Sequence, residues 1–315
     1  MNIPYIKTKD LLSITDLTRE EIFNIFELSQ KLKKDLKSGI TQYYLKDKTL
    51  AMIFEKSSTR TRVSFEVGIF QLGGYALYLN RNDLQLGRGE TISDTAKVLS
   101  RYVNGIMIRA FSHEMVERLA KNSQVPVING LTDKFHPCQS LTDFFTIYEK
   151  EKNYKNIKLA YIGDGNNVAH SLLLGASILG IDISIASPEE FSPDAQIVKR
   201  ALALSTETGV NIEVTSNIQE AVREANFIYT DVWISMGQED EEENRKRIFA
   251  DYRIDNDLLK RCAPNCLVMH CLPAHRGEEI HTEVIDSNRS IVFDQAENRL
   301  HVQKAILTSL MTKGE

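Results

Sequence analysis

The chain has 315 residues, of which 42% are hydrophobic and 26% are charged, and its formal net charge is -5 at pH 7. This composition is typical of a globular protein and excludes a disordered or fibrous chain, and the length favours two domains because single hydrophobic cores stop growing near this size. The small acidic excess gives no general attraction for nucleic acid or anionic lipid, so an anionic ligand needs a local site.

The N-terminal segment and the cysteines bear on the cellular compartment. The N-terminal segment lacks the basic stretch and apolar run of a signal peptide, and no later apolar run approaches membrane-spanning length. We therefore expect a cytoplasmic protein with neither a membrane nor a nucleic-acid partner. The four cysteines, at 138, 262, 266 and 271, are too few and too unevenly placed for a disulfide framework and form no CxxC pair, so we expect reduced thiols.

The first predicted element is a helix from about Arg19 to Lys37. Thr18 followed by Glu21 forms a capping-box pattern at its start, and Gly39 follows its end. We expect this helix to serve as scaffold.

Short apolar runs then alternate with helix-like segments in two sets. The first set comprises 49–54, 75–79, 105–108 and 125–128, and the second comprises 158–162, 182–186, 211–214, 227–230, 267–270 and 291–293. Fully apolar strands separated by helices indicate parallel sheets covered on both faces, which predicts an α/β fold with two doubly wound domains. The charged stretch 148–158 contains no apolar strand, so we place the domain boundary there.

Residues 58–62, which read Ser-Thr-Arg-Thr-Arg, follow the strand that ends at Phe54 and open a helix. The first amides of a helix lack an intrahelical partner and lie at the positive end of the dipole, so they favour an anion. We expect Val63, Val67 and Phe70 to form the inward stripe of this helix. The pattern predicts a phosphate site without a Walker glycine loop, and the alternative is a plain N-cap followed by solvated arginines.

A second strand–turn–helix segment occupies residues 162–170 and contains Gly163 and Gly165. A dinucleotide fingerprint requires a third glycine, for close packing of helix and strand, but Val168 stands there. A nicotinamide-dependent oxidoreductase therefore remains only a distant alternative.

Four polar residues at predicted strand ends or helix starts have an ordinary structural interpretation when each is taken alone. Arg109 fits a surface strand end, although a side chain there can also point into a crevice. His136 fits a helix cap or surface residue, and Asp231 fits a helix cap or turn residue. Arg299 fits a surface arginine.

Cys271 ends a predicted strand, where a cysteine fits a small buried hydrophobe. His270 adjoins it, but adjacent strand residues point to opposite faces, so we expect neither His270 as its base nor an acyl-enzyme.

Residues 238–247 form a dense charge run with no apolar period. The composition predicts a solvated loop or an exposed helix. Its position beside 235–237 also allows part of a mobile lid, which is the weaker hypothesis.

Nearly the whole chain resembles the aspartate/ornithine carbamoyltransferase family, and the matching segments occur in the same order. Residues 54–66 are similar to the family's carbamoyl-phosphate site, with Ser57 where many members have proline. The other matching segments are 85–95, 136–139, 231–237 and 269–280. The glycine turn that contains Asn167 matches the family's amino-acid site.

The resemblance implies a carbamoyl-phosphate site in the first domain. The residues assigned to it are Ser58, Thr59, Arg60, Thr61, Gln85, Arg109, His136 and Gln139. In this assignment residues 58–61 neutralise the departing phosphate, while Arg109, His136 and Thr61 stabilise the oxyanion and Gln139 binds the carbamoyl amide.

The resemblance also implies an L-ornithine site in the second domain. The residues assigned to it are Asn167, Asp231, Ser235, Met236, Cys271, Leu272 and Arg299. The aspartate branch uses basic residues to hold a second carboxylate, so Asp231 with 235–237 favours a diamino acid. A free alkyl amine has a pKa of about 10.4, so the site must favour its neutral form. Asp231 and Cys271 are the candidates for this, and their division of roles stays open.

The fold and reaction implied by the resemblance are specific. Two domains, 1–147 and 148–296, enclose an active site in the crevice between them, and a C-terminal helix of about 297–315 packs on the first domain. The catalytic residues implied are Arg109, His136, Asp231 and Cys271. Carbamoyl phosphate and L-ornithine give L-citrulline and phosphate, without a metal or organic cofactor. The close alternatives are a putrescine or an N-acetylornithine carbamoyltransferase.

The resemblance further implies a homotrimer or a multiple of trimers. In such an assembly Gln85 serves a neighbouring subunit's site. The same residues serve citrulline synthesis and its reverse, so both directions stay open.

Overall fold

The computed structural model describes residues 6–85, 89–234 and 241–312. The chain divides into two compact units, of which the first comprises Met1–Phe145 with Glu297–Glu315 and the second comprises Thr146–Ala296. Both divisions fall inside helices, and the first lies close to the junction at 147/148 that the sequence predicts. The units are described separately below.

The described residues form nine strands and twelve α-helices. The strands are β1 Thr49–Phe54, β2 Tyr75–Asn80, β3 Gly105–Arg109, β4 Val127–Leu131, β5 Lys158–Ile162, β6 Asp182–Ala186, β7 Ile212–Thr215, β8 Phe227–Thr230 and β9 Leu267–His270. The helices are α1 Arg19–Lys37, α2 Thr59–Gln71, α3 Ile92–Leu99, α4 His113–Asn122, α5 Pro137–Glu151, α6 Asn167–Leu179, α7 Ala195–Thr208, α8 Ile218–Val222, α9 Glu242–Phe249, α10 Asn256–Leu259, α11 Thr282–Ile285 and α12 Val292–Met311. Among these described helices, none is long and apolar enough to cross a membrane.

The first unit contains a four-stranded parallel sheet in the order β2-β1-β3-β4. The central strands β1 and β3 are buried almost throughout, so helices cover both faces of the sheet there. The helix predicted at the start of the chain is confirmed as α1. The Thr18 hydroxyl accepts from the Glu21 amide, and the Glu21 carboxylate accepts from the Thr18 amide, as in a capping box.

The second unit contains a five-stranded sheet in the order β7-β6-β5-β8-β9, and every pair is parallel. The α/β prediction with parallel sheets is therefore confirmed. The strands β5, β8 and β9 are neighbours, so the loops that follow Ile162, Thr230 and His270 emerge at one edge of the sheet. This edge carries the polar groups of the second unit's candidate site.

The strand predicted at 291–293 is wrong. Helix α12 begins at Val292, and Ser290 makes only an isolated bridge with Val268. Ile291 is buried, whereas Phe293 is 67% exposed. The three apolar residues therefore reflect a helix start beside the sheet rather than a sixth strand.

The inward stripe predicted for α2 is also wrong. Val63, Val67 and Phe70 are exposed, and Phe70 reaches 76%. The buried face carries Thr61, Phe65, Gly68 and Ile69. A Cβ added at Gly68 would lie 3.3 Å from Cγ of Lys304, so the small residue lets α12 pack closely against α2. Packing against α12 thus determines which face of α2 is buried, although the opposite face carries three large apolar side chains.

Gly165 allows a close backbone approach in the second unit. A Cβ at this position would lie 2.2 Å from the backbone nitrogen of Pro193 and 2.5 Å from the carbonyl carbon of Ser192. The Gly165 amide donates to the carbonyl oxygen of Phe191 at 2.8 Å. This glycine is therefore required by packing within the unit, and it needs no bound dinucleotide to explain it.

Candidate active site

The start of α2 is built around two hydroxyls. Ser58 is the N-cap, and its Oγ accepts from the Thr61 amide at 3.3 Å and lies 3.1 Å from the Thr61 Oγ1. The N-cap alternative is thus correct for Ser58, but a cap satisfies only part of the first-turn amides, so it does not exclude an anion site. Thr59 is exposed, and Arg60 is half-buried.

Arg299 of α12 connects α2 with α5 inside the first unit. Its guanidinium donates to the Thr61 Oγ1 at 3.1 Å and to the Gln139 Oε1 at 3.0 Å. All three residues are buried, and Gln139 also donates to Asp143 at 2.8 Å. The surface alternative for Arg299 is wrong, because the side chain is buried and its guanidinium is hydrogen-bonded to Thr61 and Gln139. The ornithine contact expected for it stays a prediction.

His136 lies between β4 and α5 and is only 4% exposed. Burial lowers its pKa well below the usual value, and the positive charges of Arg299, Arg109 and Arg60 lower it further. The imidazole is therefore neutral at neutral pH, and a neutral imidazole can donate one N–H to a carbonyl oxygen. Arg109, the last residue of β3, is also buried, so the surface alternatives for both residues are wrong.

Two residues near this group face outward. Arg62 pairs with Glu66 at 3.0 Å and lies 3.8 Å from the centre of the Tyr78 ring. Gln85 is exposed at the end of a described segment. The structure therefore brings together Thr61, Gln139, Arg299 and His136, and it leaves Gln85 at the surface of the first unit.

In the second unit, Asp231 follows β8 and is 7% exposed. Its carboxylate accepts from the Cys271 thiol (Sγ···Oδ1 2.9 Å), from the Asn166 amide (Nδ2···Oδ2 3.0 Å) and from the Val232 backbone at 2.8 Å. Three loops at one sheet edge thus meet at a single carboxylate. The structure thus places Cys271 in direct contact with Asp231, and the roles expected for these two residues stay a prediction.

Sequence reasoning missed Asn166 and named Asn167 instead. Asn166 is the N-cap of α6, and its Oδ1 accepts from the backbone amides of Val168 and Ala169 while its Nδ2 reaches Asp231. The signal was present in the sequence, because an asparagine between a glycine turn and a helix is a strong N-cap candidate. Only the structure shows that the other half of its amide is directed at Asp231.

The segment after β9 is held by His270. The ring Nδ1 accepts from the Leu272 backbone at 2.8 Å, so Nε2 carries the proton and donates to Glu279 at 3.0 Å. Both side chains are fully buried, and sequence reasoning missed Glu279. Leu272 has a φ of 57°, a left-handed conformation that is costly for a branched side chain and typical of functional sites. His270 therefore holds this loop rather than acting as the base of Cys271.

The expectation of a solvated segment at 238–247 is wrong for part of α9. Arg245 is 2% exposed, and its guanidinium pairs with Asp164 and donates to the Trp233 carbonyl at 2.7 Å. Burial raises the pKa of Asp164 to about 6, although the charge of Arg245 opposes this. Ser235 and Met236, which were assigned to ornithine, lie outside the described residues.

Among the residues that the structure describes, two groups of side chains have donor atoms close enough to share a metal ion. Asp231, His270 and Cys271 form one, and His275, Glu278 and Glu279 form the other, with all donor atoms of a group within 4.8 Å of one another. In the first group, however, both ring nitrogens of His270 are engaged by Leu272 and Glu279. The arrangement favours a hydrogen-bonded site over a metal centre.

Fold and site together define a two-unit α/β protein with opposite electrostatic preferences. The first unit gathers guanidinium groups and a helix start, which suits an anion. The second unit presents a buried carboxylate beside a thiol, which suits a cationic amine.

Comparison with known proteins matches two parts of the chain to one family. The family description "Aspartate/ornithine carbamoyltransferase, carbamoyl-P binding domain" matches residues 9–149, and "Asp/Orn binding domain" of the same family matches residues 155–310. A protein named ornithine carbamoyltransferase from Bacillus cereus (strain AH187) is 54% identical over 315 residues, which is 100% of this chain and 98% of the relative. The chain belongs to the aspartate/ornithine carbamoyltransferase family.

Solved structures agree with this assignment. The ornithine carbamoyltransferase from Pyrococcus furiosus has a TM-score of 0.94 and 54% identity, with 97% of this chain and 98% of that chain covered. The ornithine carbamoyltransferase from Thermus thermophilus has a TM-score of 0.87 and 40% identity, with 97% and 100% covered.

The buried His136 predicts a pH dependence of stability. Because its folded pKa is depressed, the unfolded state takes up a proton below about pH 6.5 that the folded imidazole does not, so stability falls with pH from there to the folded pKa. We expect His136→Asn to flatten this fall by up to about 1.4 kcal/mol per pH unit. Urea unfolding between about pH 7 and about pH 5 measures it.

The half-exposed His275 provides the matched control. We expect His275→Asn to keep the parental slope of unfolding free energy against pH. Equal slopes for the parent and His136→Asn would contradict the burial argument.

Proposed function

We propose that this chain transfers the carbamoyl group of carbamoyl phosphate to the δ-amine of L-ornithine, which gives L-citrulline and phosphate. The observation that carries this proposal is the hydrogen bond from Cys271 to the Asp231 carboxylate at 2.9 Å. A buried anion beside a thiol suits a diamino acid and disfavours the second carboxylate of aspartate. The names of the similar proteins support the same acceptor.

In the first unit, we assign the phosphate to the start of α2. Ser58, Thr59, Arg60 and Thr61 supply hydroxyl, guanidinium and backbone donors where the helix dipole is positive, so they neutralise the charge of the departing phosphate. Arg60, Arg109 and Arg299 make the site electropositive. Their charges add to the effect of burial in lowering the pKa of His136. Gln85 is proposed to contact the carbamoyl phosphate that is bound in a neighbouring subunit's site.

The carbamoyl carbonyl is assigned to Arg109, His136 and Thr61. The attack of the amine places negative charge on the carbonyl oxygen, and fixed donors that meet this charge in a water-poor site lower the barrier. A neutral His136 retains one N–H that can donate to this oxygen, which fits this role. Gln139 is proposed to bind the carbamoyl amide.

Arg299 is proposed to position two residues of the carbamoyl-phosphate site. Its two hydrogen bonds fix Thr61 and Gln139, and these bonds support a role with carbamoyl phosphate. The ornithine contact implied by the resemblance is the alternative. Removal of Arg299 raises the KM of carbamoyl phosphate in the first case and that of ornithine in the second.

The second unit is proposed to bind L-ornithine through Asn167, Asp231, Cys271 and Leu272, together with Ser235 and Met236. Asp231 is the counter-ion for an ammonium group of the acceptor. Once the δ-ammonium has lost one proton to solvent, its nitrogen bonds to the carbonyl carbon and the bond from that carbon to the phosphate oxygen breaks. The departing phosphate takes the electron pair and the second proton of the nitrogen, which leaves the neutral ureido group. Holding both substrates supplies much of the rate through proximity.

Assembly and location complete the proposal. Val63, Val67, Tyr75 and Leu77 of α2 and β2 are exposed apolar side chains, which supports association with a further subunit. The proposed stoichiometry, a homotrimer or a multiple of trimers, is the one that the family resemblance implies. The cytoplasm remains the proposed location.

An acceptor panel tests the reaction. We expect carbamoylated product with L-ornithine, and a kcat/KM at least about a hundredfold lower with putrescine, N-acetylornithine, lysine or aspartate, because each lacks a group that the site pairs or changes the chain length. Product quantified by chromatography gives each rate. Faster turnover of putrescine or N-acetylornithine would replace ornithine as the acceptor, and no turnover of ornithine would refute the proposal.

Substitution of the Asp231–Cys271 pair tests the acceptor site. We expect Asp231→Asn to lower kcat/KM for ornithine by at least about a hundredfold, because the isosteric amide retains the shape but loses the charge. Cys271→Ala loses less, because one of three donors to Asp231 is removed. Cys262→Ala, at a buried thiol that donates to the Leu258 backbone rather than to Asp231, is the control and keeps parental kinetics. Parental kcat and KM in Cys271→Ala would reduce this thiol to packing.

Sedimentation equilibrium tests the assembly. The parent is expected at three times the chain mass of 35.8 kDa or a multiple of it. Val67→Glu introduces a charge into the apolar face and weakens association, whereas Leu202→Glu, on an exposed apolar residue of the second unit, leaves it unchanged. A parent that stays monomeric at micromolar concentration rules out the trimer.

A further inference from the structure

Arg245 is a buried cation on α9, whose other charged side chains are exposed or half-buried. It is 2% exposed, and its guanidinium carbon lies 4.4 Å from the ring centre of Phe191 and 5.4 Å from that of Phe249. Burying a cation is costly unless the charge is paired and hydrogen-bonded. Its partners therefore indicate what the burial achieves.

The guanidinium joins the loop that carries Asp231 to the loop that carries Asn166. Its Nε donates to the carbonyl oxygen of Trp233 at 2.7 Å, two residues after Asp231. Its Nη2 pairs with the carboxylate of Asp164, two residues before Asn166. Asn166 in turn donates to Asp231 at 3.0 Å, so a closed chain of contacts runs from Arg245 through both loops to the acceptor carboxylate.

We propose that Arg245 and Asp164 are positioning residues of the acceptor site, which fix the loops after β5 and β8 so that Asn166 and Cys271 meet Asp231. This inference rests on the proposed function and adds residues that touch no substrate. The planar guanidinium of Arg245 makes two directed hydrogen bonds. A lysine has a single compact ammonium and cannot reproduce both of these bonds.

Titration of Asp164 makes this pairing sensitive to pH. Burial raises its pKa to about 6, and the charges of Asp231 and Glu241 act in the same direction while Arg245 opposes them. Among the described residues, the titratable side chain of Tyr161 also contacts Asp164, because its hydroxyl donates to the Asp164 backbone oxygen. Below this pKa the carboxyl becomes neutral and its pairing with Arg245 weakens. Ornithine itself has no group that titrates near this pH.

The experiment compares Arg245→Lys and Asp164→Asn with the parent. Arg247→Lys is the matched control, because Arg247 is exposed on the same helix and bonds only to Asn244 among the described residues. For each protein, kcat and KM of ornithine are measured between about pH 5.5 and about pH 8.5, and carbamoyl-phosphate affinity is measured by calorimetry.

We expect Arg245→Lys to raise the ornithine KM between about tenfold and about a hundredfold, while carbamoyl-phosphate affinity stays within about twofold. Deprotonation of the δ-amine makes kcat/KM for ornithine rise with pH in every variant. In the parent, kcat/KM should fall more steeply than this below about pH 6, and Asp164→Asn should remove the additional fall and give low values throughout. Arg247→Lys should match the parent.

Parental ornithine KM in Arg245→Lys, or the same acidic fall in Asp164→Asn as in the parent, would overturn the inference. If Arg245→Lys does not fold, as judged by Trp233 fluorescence, the parent and Asp164→Asn profiles decide alone. A parent that does not carbamoylate ornithine indicates failure of the proposed function instead, so the two failures are distinguishable.

Discussion

The second unit is organised around one buried carboxylate. An anion at 7% exposure is stable only if donors replace the water it has lost. Asp231 receives these donors from Asn166, Cys271 and its neighbour Val232, which lie on loops that follow β5, β9 and β8. Since these strands are adjacent and parallel, their carboxyl ends bring the loops to one edge. The sheet order is therefore a precondition of the site.

The first unit applies the opposite charge to the same fold principle. Arg109 ends β3, Arg299 comes from α12, and the start of α2 adds backbone donors, so the positive charge is concentrated around His136. Burial, reinforced by that charge, lowers the pKa of His136 and keeps the imidazole neutral, so it is a poor base but retains an N–H donor. An anionic donor and a cationic acceptor are thus matched by two units of opposite polarity, which is the electrostatic basis of the proposed transfer.

Local rules predicted what local contacts determine. The capping box at Thr18, the apolar strands and the alternation of strand and helix are short-range patterns, and they appear in the structure except for the strand predicted at 291–293, which is the start of α12. Phe70, which is exposed, and Arg245, which is buried, were misassigned because their environments depend on α12 and on the loop at Asp164, which are distant in sequence. The role of Asn166 depends likewise on Asp231, which lies 65 residues further along the chain.

Bond formation between the two labelled substrates tests the central claim most directly. The protein is incubated with carbamoyl phosphate carrying an isotope-labelled carbonyl carbon and with L-ornithine carrying an isotope-labelled δ-nitrogen, and the product is observed by NMR. The account predicts a one-bond carbon–nitrogen coupling in a ureido group, formed at the rate at which phosphate is released. Phosphate release without this coupling would contradict the account. Formation of the coupled product at the parental rate in Asp231→Asn would also contradict it.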